Sequence, residues 1–300
     1  MRSILTFLLA VSVAGSAWAQ KVINVVATLP DYGAIAEAIG GDKVKVTTLA
    51  RGTEDPHFVD AKPSFVRVLN KADLLIEGGA ELEVGWLPPL VSGARNKAIL
   101  TGEKGELKLS QFVQMLDVPN GPVDRSMGDV HPFGNPHFNL DPLNGKVMAK
   151  AIADKFAALA PPNAKVFHAN EQKFVQDLDR KFAEWKKQME PLRGTKVLTY
   201  HKSFDYFLRR FGLELVGTIE PKPGIEPSPT HINQLIPRAK TEGVKYVIIE
   251  PNRPRRTPEY VSEAIGAKLL LVPALVGGNE RIKTYFDLFD YNVSQFTSVH

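Results

Sequence analysis

The sequence has 300 residues, with 37 Lys and Arg against 33 Asp and Glu, seven His and no Cys. With 44% hydrophobic and 23% charged residues, the composition is that of an ordinary globular protein and excludes a disordered or fibrous one. The formal charge of +4 argues against a dedicated nucleic-acid binder. The absence of Cys excludes disulfides, thiolate catalysis and zinc sites built on sulfur, so any transition metal must be bound by His and carboxylates.

The first 19 residues have the features of a signal peptide. Arg2 precedes an apolar run over residues 4–14, which is too short to span a bilayer. The run is followed by Ala17-Trp18-Ala19, which fits a cleavage site, so we expect export and a mature chain that starts at Gln20. Because no Cys is present to carry a lipid, we expect a periplasmic protein that is not lipidated.

The first half of the chain alternates short β-rich runs with helical patterns. Asp31 is predicted to cap the first helix, and Asp141 with Pro142 is a typical helix start. The segment 103–136 is rich in Gly and Pro, and we predict a loop there. Strands are predicted at 22–28, 44–49 and 72–77, and helices near Asp31, Pro63, Trp86 and Asp141.

A long helical pattern separates this half from the next. Apolar residues recur at helical spacing between Pro161 and Gly194. About 28 residues at 1.5 Å each give a helix of roughly 42 Å, long enough to span a small domain. The apolar stripe consists of Phe167, Phe174, Leu178, Phe182, Trp185 and Met189.

The alternation resumes in the second half of the chain. The fold class is therefore predicted as α/β, with two parallel-sheet βα lobes joined by one long rigid α-helix. Strands are predicted at 197–200, 213–219, 246–249 and 269–272, and helices through Phe204, at 229–239 and at 283–296. The expected divisions are a signal peptide at 1–19, an N-terminal lobe at 20–160, a linking helix at 161–193 and a C-terminal lobe at 194–300.

Three histidines occupy loops in which α/β proteins bind ligands. In open α/β sheets, ligands bind beyond the carboxyl ends of the strands. His57 and His201 follow predicted strands, and His137 precedes a predicted helix, so both halves contribute. Neutral imidazoles suit Zn²⁺, and the pattern is compatible with a metal site in a cleft between the lobes. Spacing alone does not distinguish this site from three unrelated loop histidines, since scattered His lacks the specificity of a Cys-based zinc motif.

The other histidines give weaker signals. His131 lies six residues before His137 and is an auxiliary ligand, a capture residue or a solvated loop residue. We interpret His168 as a surface residue of the long helix, His231 as structural and His300 as a terminal residue without a role.

Other motifs are absent or weak. The sequence lacks a P-loop, a G-x-G-x-x-G fingerprint, a G-x-S-x-G elbow and the H-E-x-x-H pattern of zinc proteases. The basic cluster Arg253-Pro254-Arg255-Arg256 is interpreted as a solvated loop.

Four short motifs stand out: Asp55-Pro56-His57 with Lys62-Pro63-Ser64, the run from Pro136 to Pro142, the run from Tyr200 to Phe204, and Glu250-Pro251. They resemble motifs of the metal-binding solute-binding proteins of zinc and manganese ABC importers. In that family the motifs usually read D-P-H followed by P-S, then P-H-x-W-L-D-P, then H-x-x-F-x-Y-F. The resemblance covers essentially the whole mature chain. It implies a zinc-type periplasmic binding protein of cluster A-I, with two lobes on a rigid backbone helix and no enzymatic activity.

Carried over by position, the resemblance also implies a set of metal ligands. Asn139 stands where the family usually has an aromatic residue, which should matter little to coordination. The family often has an Asp ligand after the last strand, but residues 273–278 contain no carboxylate, so we expect water or Glu250 in that position. The implied ligands are His57, His137 and His201.

The expected function is high-affinity capture of zinc in the interlobe cleft and delivery to a membrane ABC permease, by a monomer. Three imidazoles without an assured carboxylate favour Zn²⁺ over Mn²⁺, which prefers more oxygen ligands. The alternatives are a manganese-binding importer protein and an exported zinc-dependent hydrolase, since three His and a water also form a catalytic site.

Overall fold

A computed structural model describes residues 22–123, 128 and 130–298. Two sheets of four strands each form its framework. The strands are β1 (Ile23–Ala27), β2 (Val44–Thr48), β3 (Leu74–Glu77), β4 (Glu106–Lys108), β5 (Lys196–Thr199), β6 (Glu214–Thr218), β7 (Tyr246–Ile249) and β8 (Lys268–Leu271). All neighbouring strands are parallel. The order is β2-β1-β3-β4 in the first sheet and β6-β5-β7-β8 in the second, so the second lobe repeats the topology of the first.

Helices connect the parallel strands and cover the sheets, as parallel topology requires. The α-helices are α1 (Pro30–Gly40), α2 (Pro63–Asn70), α3 (Leu87–Ala94), α4 (Pro142–Leu159), α5 (Ala164–Met189), α6 (Asp205–Phe211), α7 (Pro229–Glu242), α8 (Arg256–Ile265) and α9 (Tyr285–Thr297). The predicted α/β architecture of two parallel-sheet lobes and one long helix is confirmed.

The central strands are apolar because both of their faces are covered. Val25, Val26 and Ala27 of β1 are buried, and so are all four residues of β7. Polar residues are therefore displaced to the loops that follow the strands. In both lobes these loops lie where the lobes meet, and their side chains are free to form a site.

Helix α5 has 26 residues, close to the predicted 28, and at 1.5 Å per residue it is about 39 Å long. One turn of 3-10 helix continues it at each end, at Pro161–Asn163 and Glu190–Leu192. The helix packs against α1 and α4 of the N-terminal lobe and against α9. On the α9 side, the indole Nε1 of Trp185 donates a 2.7 Å hydrogen bond to Asp290.

The hydrophobic core is continuous between the lobes. A single cluster of buried residues includes β1 and α1 of the first lobe, the buried stripe of α5, and α6 and α9. Rings of Phe207, Phe289 and Phe296 stack within it. A wide opening of the lobes would expose this cluster, so the fold favours small adjustments around α5.

Three local predictions are wrong. Asp31 does not cap α1: Leu29 is the N-cap, and Asp31 lies buried in the first helical turn. The predicted loop 103–136 contains β4, which completes the first sheet. Helix α8 begins at Arg256, within the basic cluster predicted to be a solvated loop. For Asp31 and β4, tertiary contacts outweigh the local sequence signal.

The predicted signal peptide at 1–19 and His300 lie outside the described residues. Within the described ranges, no helix combines the length and the apolar character needed to cross a membrane. The domain divisions at 20–160, 161–193 and 194–300 stay a prediction.

Candidate metal centre

Three imidazoles meet between the lobes. His57 lies in the loop between β2 and α2. His201 lies two residues after the end of β5, next to Tyr200. His137 immediately precedes a 3-10 turn, Phe138–Leu140, that leads into α4. All three histidines are buried, and one nitrogen of each lies within 4.8 Å of the others. The sequence therefore singled out side chains that the fold brings together.

The rings are arranged around a common point. The Nε2 atoms of His137 and His201 are 3.2 Å apart, and their ring planes are nearly perpendicular, at 88°. The ring of His57 lies 5.0 Å from that of His137 and 5.3 Å from that of His201, centroid to centroid. Such an arrangement presents nitrogen lone pairs from different directions, as a metal ion requires.

Two carboxylates orient the imidazoles from behind. The Nδ1 atom of His57 is 2.9 Å from Oδ1 of Asp55, and the Nδ1 atom of His201 is 2.7 Å from Oε2 of Glu220. A carboxylate at Nδ1 favours the tautomer with its proton there and leaves the Nε2 lone pair for a metal. Both histidines are thereby prepared as Nε2 ligands.

The loop that carries His137 is held by backbone contacts. The amide nitrogen of His137 donates to Oδ1 of Asn135 at 3.0 Å, and the Asn135 side chain donates to the carbonyl of Lys202 at 2.8 Å. Because Lys202 follows His201, the side-chain amide of Asn135 links the loop of His137 to the loop of His201. Burial, reinforced by the charges of His57 and His201, lowers the pKa of His137 well below its ordinary value and favours the neutral, metal-binding form.

Arg253 lies inside this assembly, although the sequence predicted a solvated loop. Its Nη1 atom is 3.0 Å from Oδ2 of Asp55 and 3.6 Å from Oε1 of Glu220. Burial opposes the ionisation of Asp55, but the hydrogen bond with His57 and the charges of His57 and Arg253 outweigh it. They hold the pKa of Asp55 well below its usual range. The carboxylate is therefore ionised at neutral pH.

A fourth imidazole, His131, lies beside the cluster. Its Nε2 atom is 3.2 Å from Nε2 of His57, and the two rings stack with centroids 5.2 Å apart. Of the roles predicted for His131, that of a solvated loop residue is wrong, because the ring packs against His57. Burial, followed by the charges of His57 and His201, lowers the pKa of His131 to about 3, so its imidazole is neutral at physiological pH.

Glu250, predicted as a fourth ligand or a supporting group, is buried but lies outside the group of nitrogen atoms that meet. Its Oε1 atom accepts a 2.5 Å hydrogen bond from the hydroxyl of Ser203. Its Oε2 atom has no hydrogen-bond partner within the described residues. Glu250 thus supports the loop after His201 and does not complete the imidazole cluster.

Two histidines lie elsewhere, as predicted. His231 bonds through Nε2 to the carbonyl of Thr218 at 2.9 Å, which is a structural role, and His168 is half-buried on α5. The sequence reasoning missed Glu220 and Arg253. Glu220 lies two residues after the carboxyl end of β6, so the strand-end rule that selected His57 would also have selected it.

Comparison with known proteins decides the family. The model of the family "ZnuA: Zinc-uptake complex component A periplasmic" matches residues 25–299. The chain belongs to this family. The resemblance drawn from the histidine motifs is therefore confirmed, and the protein is a metal-binding substrate-binding protein of the ABC importer type. Members of the family are transport proteins and not enzymes, so the zinc hydrolase alternative does not apply.

Proteins similar to this chain are named for different metals. A manganese ABC transporter substrate-binding lipoprotein, PsaA of Streptococcus mitis, is 24% identical over 281 residues, covering 91% of this chain and 87% of PsaA. An iron ABC transporter substrate-binding lipoprotein, MtsA of Streptococcus pyogenes serotype M1, is 24% identical over 283 residues, covering 92% and 88%. A zinc-bound deletion mutant of ZnuA has a TM-score of 0.77 and 27% identity, covering 92% of this chain and 97% of that chain.

Proposed function

We propose that this protein captures Zn²⁺ in the periplasm with His57, His137 and His201 and delivers it to an ABC permease. The observation that carries the proposal is the buried group of three nitrogens within 4.8 Å, contributed by both lobes. The group contains no carboxylate oxygen. An all-imidazole set suits Zn²⁺, whereas Mn²⁺ prefers oxygen ligands.

The distances between nitrogens support tetrahedral coordination. Zn–N bonds of about 2.0–2.1 Å place two ligand nitrogens of a tetrahedron roughly 3.4 Å apart. The Nε2 atoms of His137 and His201 are 3.2 Å apart, and those of His57 and His131 are also 3.2 Å apart. Each pair has the spacing of one edge of such a tetrahedron.

We extend the proposal to His131 as the fourth ligand. It takes the position for which the sequence offered water or Glu250. Its Nε2 atom lies 3.2 Å from that of His57, at the edge of the group of three nitrogens rather than within it, and its lowered pKa keeps the lone pair free at neutral pH. A fourth imidazole would replace the Asp that the family often uses after its last strand.

Manganese is the second candidate metal, because the similar protein PsaA is named for manganese. A manganese site would need one or more oxygen ligands, and Asp55 and Glu220 are the nearest carboxylates to the imidazoles. Both carboxylates bond instead to histidine Nδ1 atoms and to Arg253. This arrangement favours zinc.

The proposal includes export and action as an unlipidated monomer. Export is supported by the signal-like segment 1–19, and the unlipidated state by the absence of Cys from the 300 residues. The similar proteins PsaA and MtsA are named lipoproteins, so solubility after osmotic-shock release, compared with detergent extraction of the membrane fraction, tests this part directly.

The metal assignment is tested by elemental analysis of protein purified without added metal, followed by competition titration with a zinc chelator. We expect one zinc per chain, and loss of tight zinc binding in His57→Ala and His201→Ala. His168→Ala, half-buried on α5 and away from the site, is the matched control. Retention of zinc by both ligand variants, or a preference of the wild type for manganese, would overturn the proposal.

The fourth ligand is tested with His131→Ala in the same titration. We expect zinc affinity to fall roughly tenfold or more, while the stoichiometry is kept. An affinity equal to that of the wild type would assign the fourth position to water.

A further inference from the structure

Arg253 follows β7 in a tight turn, in which its amide donates to the carbonyl of Glu250 at 3.1 Å. Its side chain is only 16% exposed, and its guanidinium lies 5.6 Å from the centre of the Tyr200 ring. The neighbouring Arg255 and Arg256 are exposed. The basic cluster therefore contains one largely buried arginine and two surface arginines.

The contacts of Arg253 join the two lobes. Asp55 belongs to the first lobe, in the loop after β2, whereas Glu220 and Arg253 follow strands of the second lobe. The Nη1 atom of Arg253 is 3.0 Å from Asp55 and 3.6 Å from Glu220. These are the two carboxylates that contact Nδ1 of His57 and His201. A continuous chain of polar contacts thus runs from one histidine to the other through the guanidinium.

We propose that Arg253 is a positioning residue that keeps Asp55 and Glu220 behind the histidines and off the metal, and that closes the two lobes around the bound ion. This inference rests on the proposed function of the histidine cluster. Arg253 would thus keep the site all-nitrogen by acting through Asp55 and Glu220.

The chemistry of the guanidinium fits this role. Arginine stays charged at all physiological pH values and presents several donors in a fixed plane, so one side chain can contact two carboxylates at once. Each carboxylate then has one oxygen facing an imidazole and the other facing Arg253. Without the guanidinium, each carboxylate would be held only by its imidazole, and by leaving that contact it could swing toward the metal, which would favour manganese.

The test compares Arg253→Gln with Arg256→Gln, which removes the same charge from an exposed position of the same cluster. Zinc release is followed by stopped flow with an excess of chelator, and the ratio of zinc to manganese affinity by competition. We expect Arg253→Gln to release zinc about 10- to 100-fold faster and to lower the affinity ratio, since groups behind metal ligands have effects of this size. Arg256→Gln should match the wild type.

The electronic spectrum of the Co²⁺-substituted protein gives a readout that a general loss of stability would not change. We expect the intense bands of a four-coordinate nitrogen site in the wild type, and weaker, shifted bands in Arg253→Gln as a carboxylate enters the coordination. Arg253→Lys keeps the charge but not the planar fork, and it should restore the release rate only in part.

The outcomes separate this inference from the proposed function. If the wild type binds no zinc, the proposed function fails. If the wild type and Arg256→Gln bind zinc and Arg253→Gln releases it at the same rate with an unchanged Co²⁺ spectrum, the role of Arg253 is overturned. If Arg253→Gln does not fold, Arg253→Lys and Asp55→Asn carry the test, and wild-type release rates in both would overturn the role.

Discussion

The carboxylate of Asp31, in the first turn of α1, accepts a 3.0 Å hydrogen bond from the backbone amide of Val276 in the second lobe. Its other oxygen accepts from the side-chain amide of Asn139, which also donates to the carbonyl of Ala274. Asn139 therefore joins the loop after His137 to α1 and to the loop after β8. At the position where the family usually has an aromatic residue, this chain has an interlobe hydrogen-bond junction.

Replacing Asn139 with Leu should destabilise the protein. The substitution keeps the size of the side chain but removes the donor to two oxygen atoms, on Asp31 and Ala274. A buried acceptor left without a partner costs about 1–3 kcal/mol. Urea-induced unfolding at pH 7 measures the change. Asn120→Leu, in an exposed loop position, is the control, and equal stabilities of the two variants would contradict the junction.

The same junction predicts a pH dependence. Burial raises the pKa of Asp31 from 3.8 to about 6, against the hydrogen bonds from Asn139 and Val276 that lower it. The folded protein thus holds a proton on Asp31 more tightly than the unfolded chain does. The corresponding stability is fully present below the unfolded pKa and is lost as the pH rises through about 6.

Asp31→Asn removes this titration. Between pH 4 and pH 7, the unfolding free energy of the wild type should therefore fall relative to that of the variant. The fall should be up to about 3 kcal/mol for a change of this size in the pKa. Unfolding curves at a series of pH values measure it. Asp60→Asn, at an exposed carboxylate, is the control, and a pH-dependent shift of the same size in both variants would refute the assignment to Asp31.

The long helix provides a packing prediction. Phe167 is fully buried and its ring lies 5.3 Å from that of Phe156, whereas the adjacent Val166 is 41% exposed. Phe167→Ala should cost about 3–5 kcal/mol because it leaves a cavity in the continuous core. Val166→Ala should change the stability by no more than about 0.5 kcal/mol. Comparable losses in chemical unfolding would show that the buried stripe does not hold α5 in place.

Much of this site could be predicted from the sequence, because its histidines lie at strand ends and a helix start, which local sequence patterns identify. His57 and His201 follow strands, and His137 precedes a helix whose N-cap, Asp141, accepts from the amide of Leu143 as predicted. The carboxyl ends of parallel strands are where side chains of an α/β protein can meet. The family motifs then selected these histidines from seven.

The roles of Arg253 and Asp31 could not be predicted, because they depend on contacts between segments that are distant in the sequence. Arg253 lies in a basic run that looks solvated, and only the folded chain brings Asp55 within 3.0 Å of it. Asp31 has the residue type of a helix cap, but its carboxylate is turned to Val276, 245 positions later. Local propensity contributes a few tenths to about 1 kcal/mol per residue, and a fully satisfied buried hydrogen-bond network can outweigh it. The spacing of residues along the sequence does not reveal such partners.

The contact between the lobes is close enough to exclude a single methyl group. A Cβ atom at Gly52 would lie 2.0 Å from the carbonyl oxygen of Val276 and 2.3 Å from the carbonyl carbon of Gly277, both of them backbone atoms. Gly52→Ala must therefore push the loop that carries His57 away from the second lobe. Forced overpacking of this kind costs about 1–3 kcal/mol.

We accordingly expect Gly52→Ala to lower the thermal unfolding midpoint and, because His57 moves with its loop, to release zinc faster in the chelator assay. Gly121→Ala adds the same methyl group at a position where a Cβ atom would have no neighbour within 4 Å, and it should match the wild type in both measurements. Faster release without loss of stability would show that the loop yields easily and that the close contact serves the metal site. Wild-type behaviour of Gly52→Ala in both assays would mean that the lobes separate at this contact without cost, which the continuous core argues against.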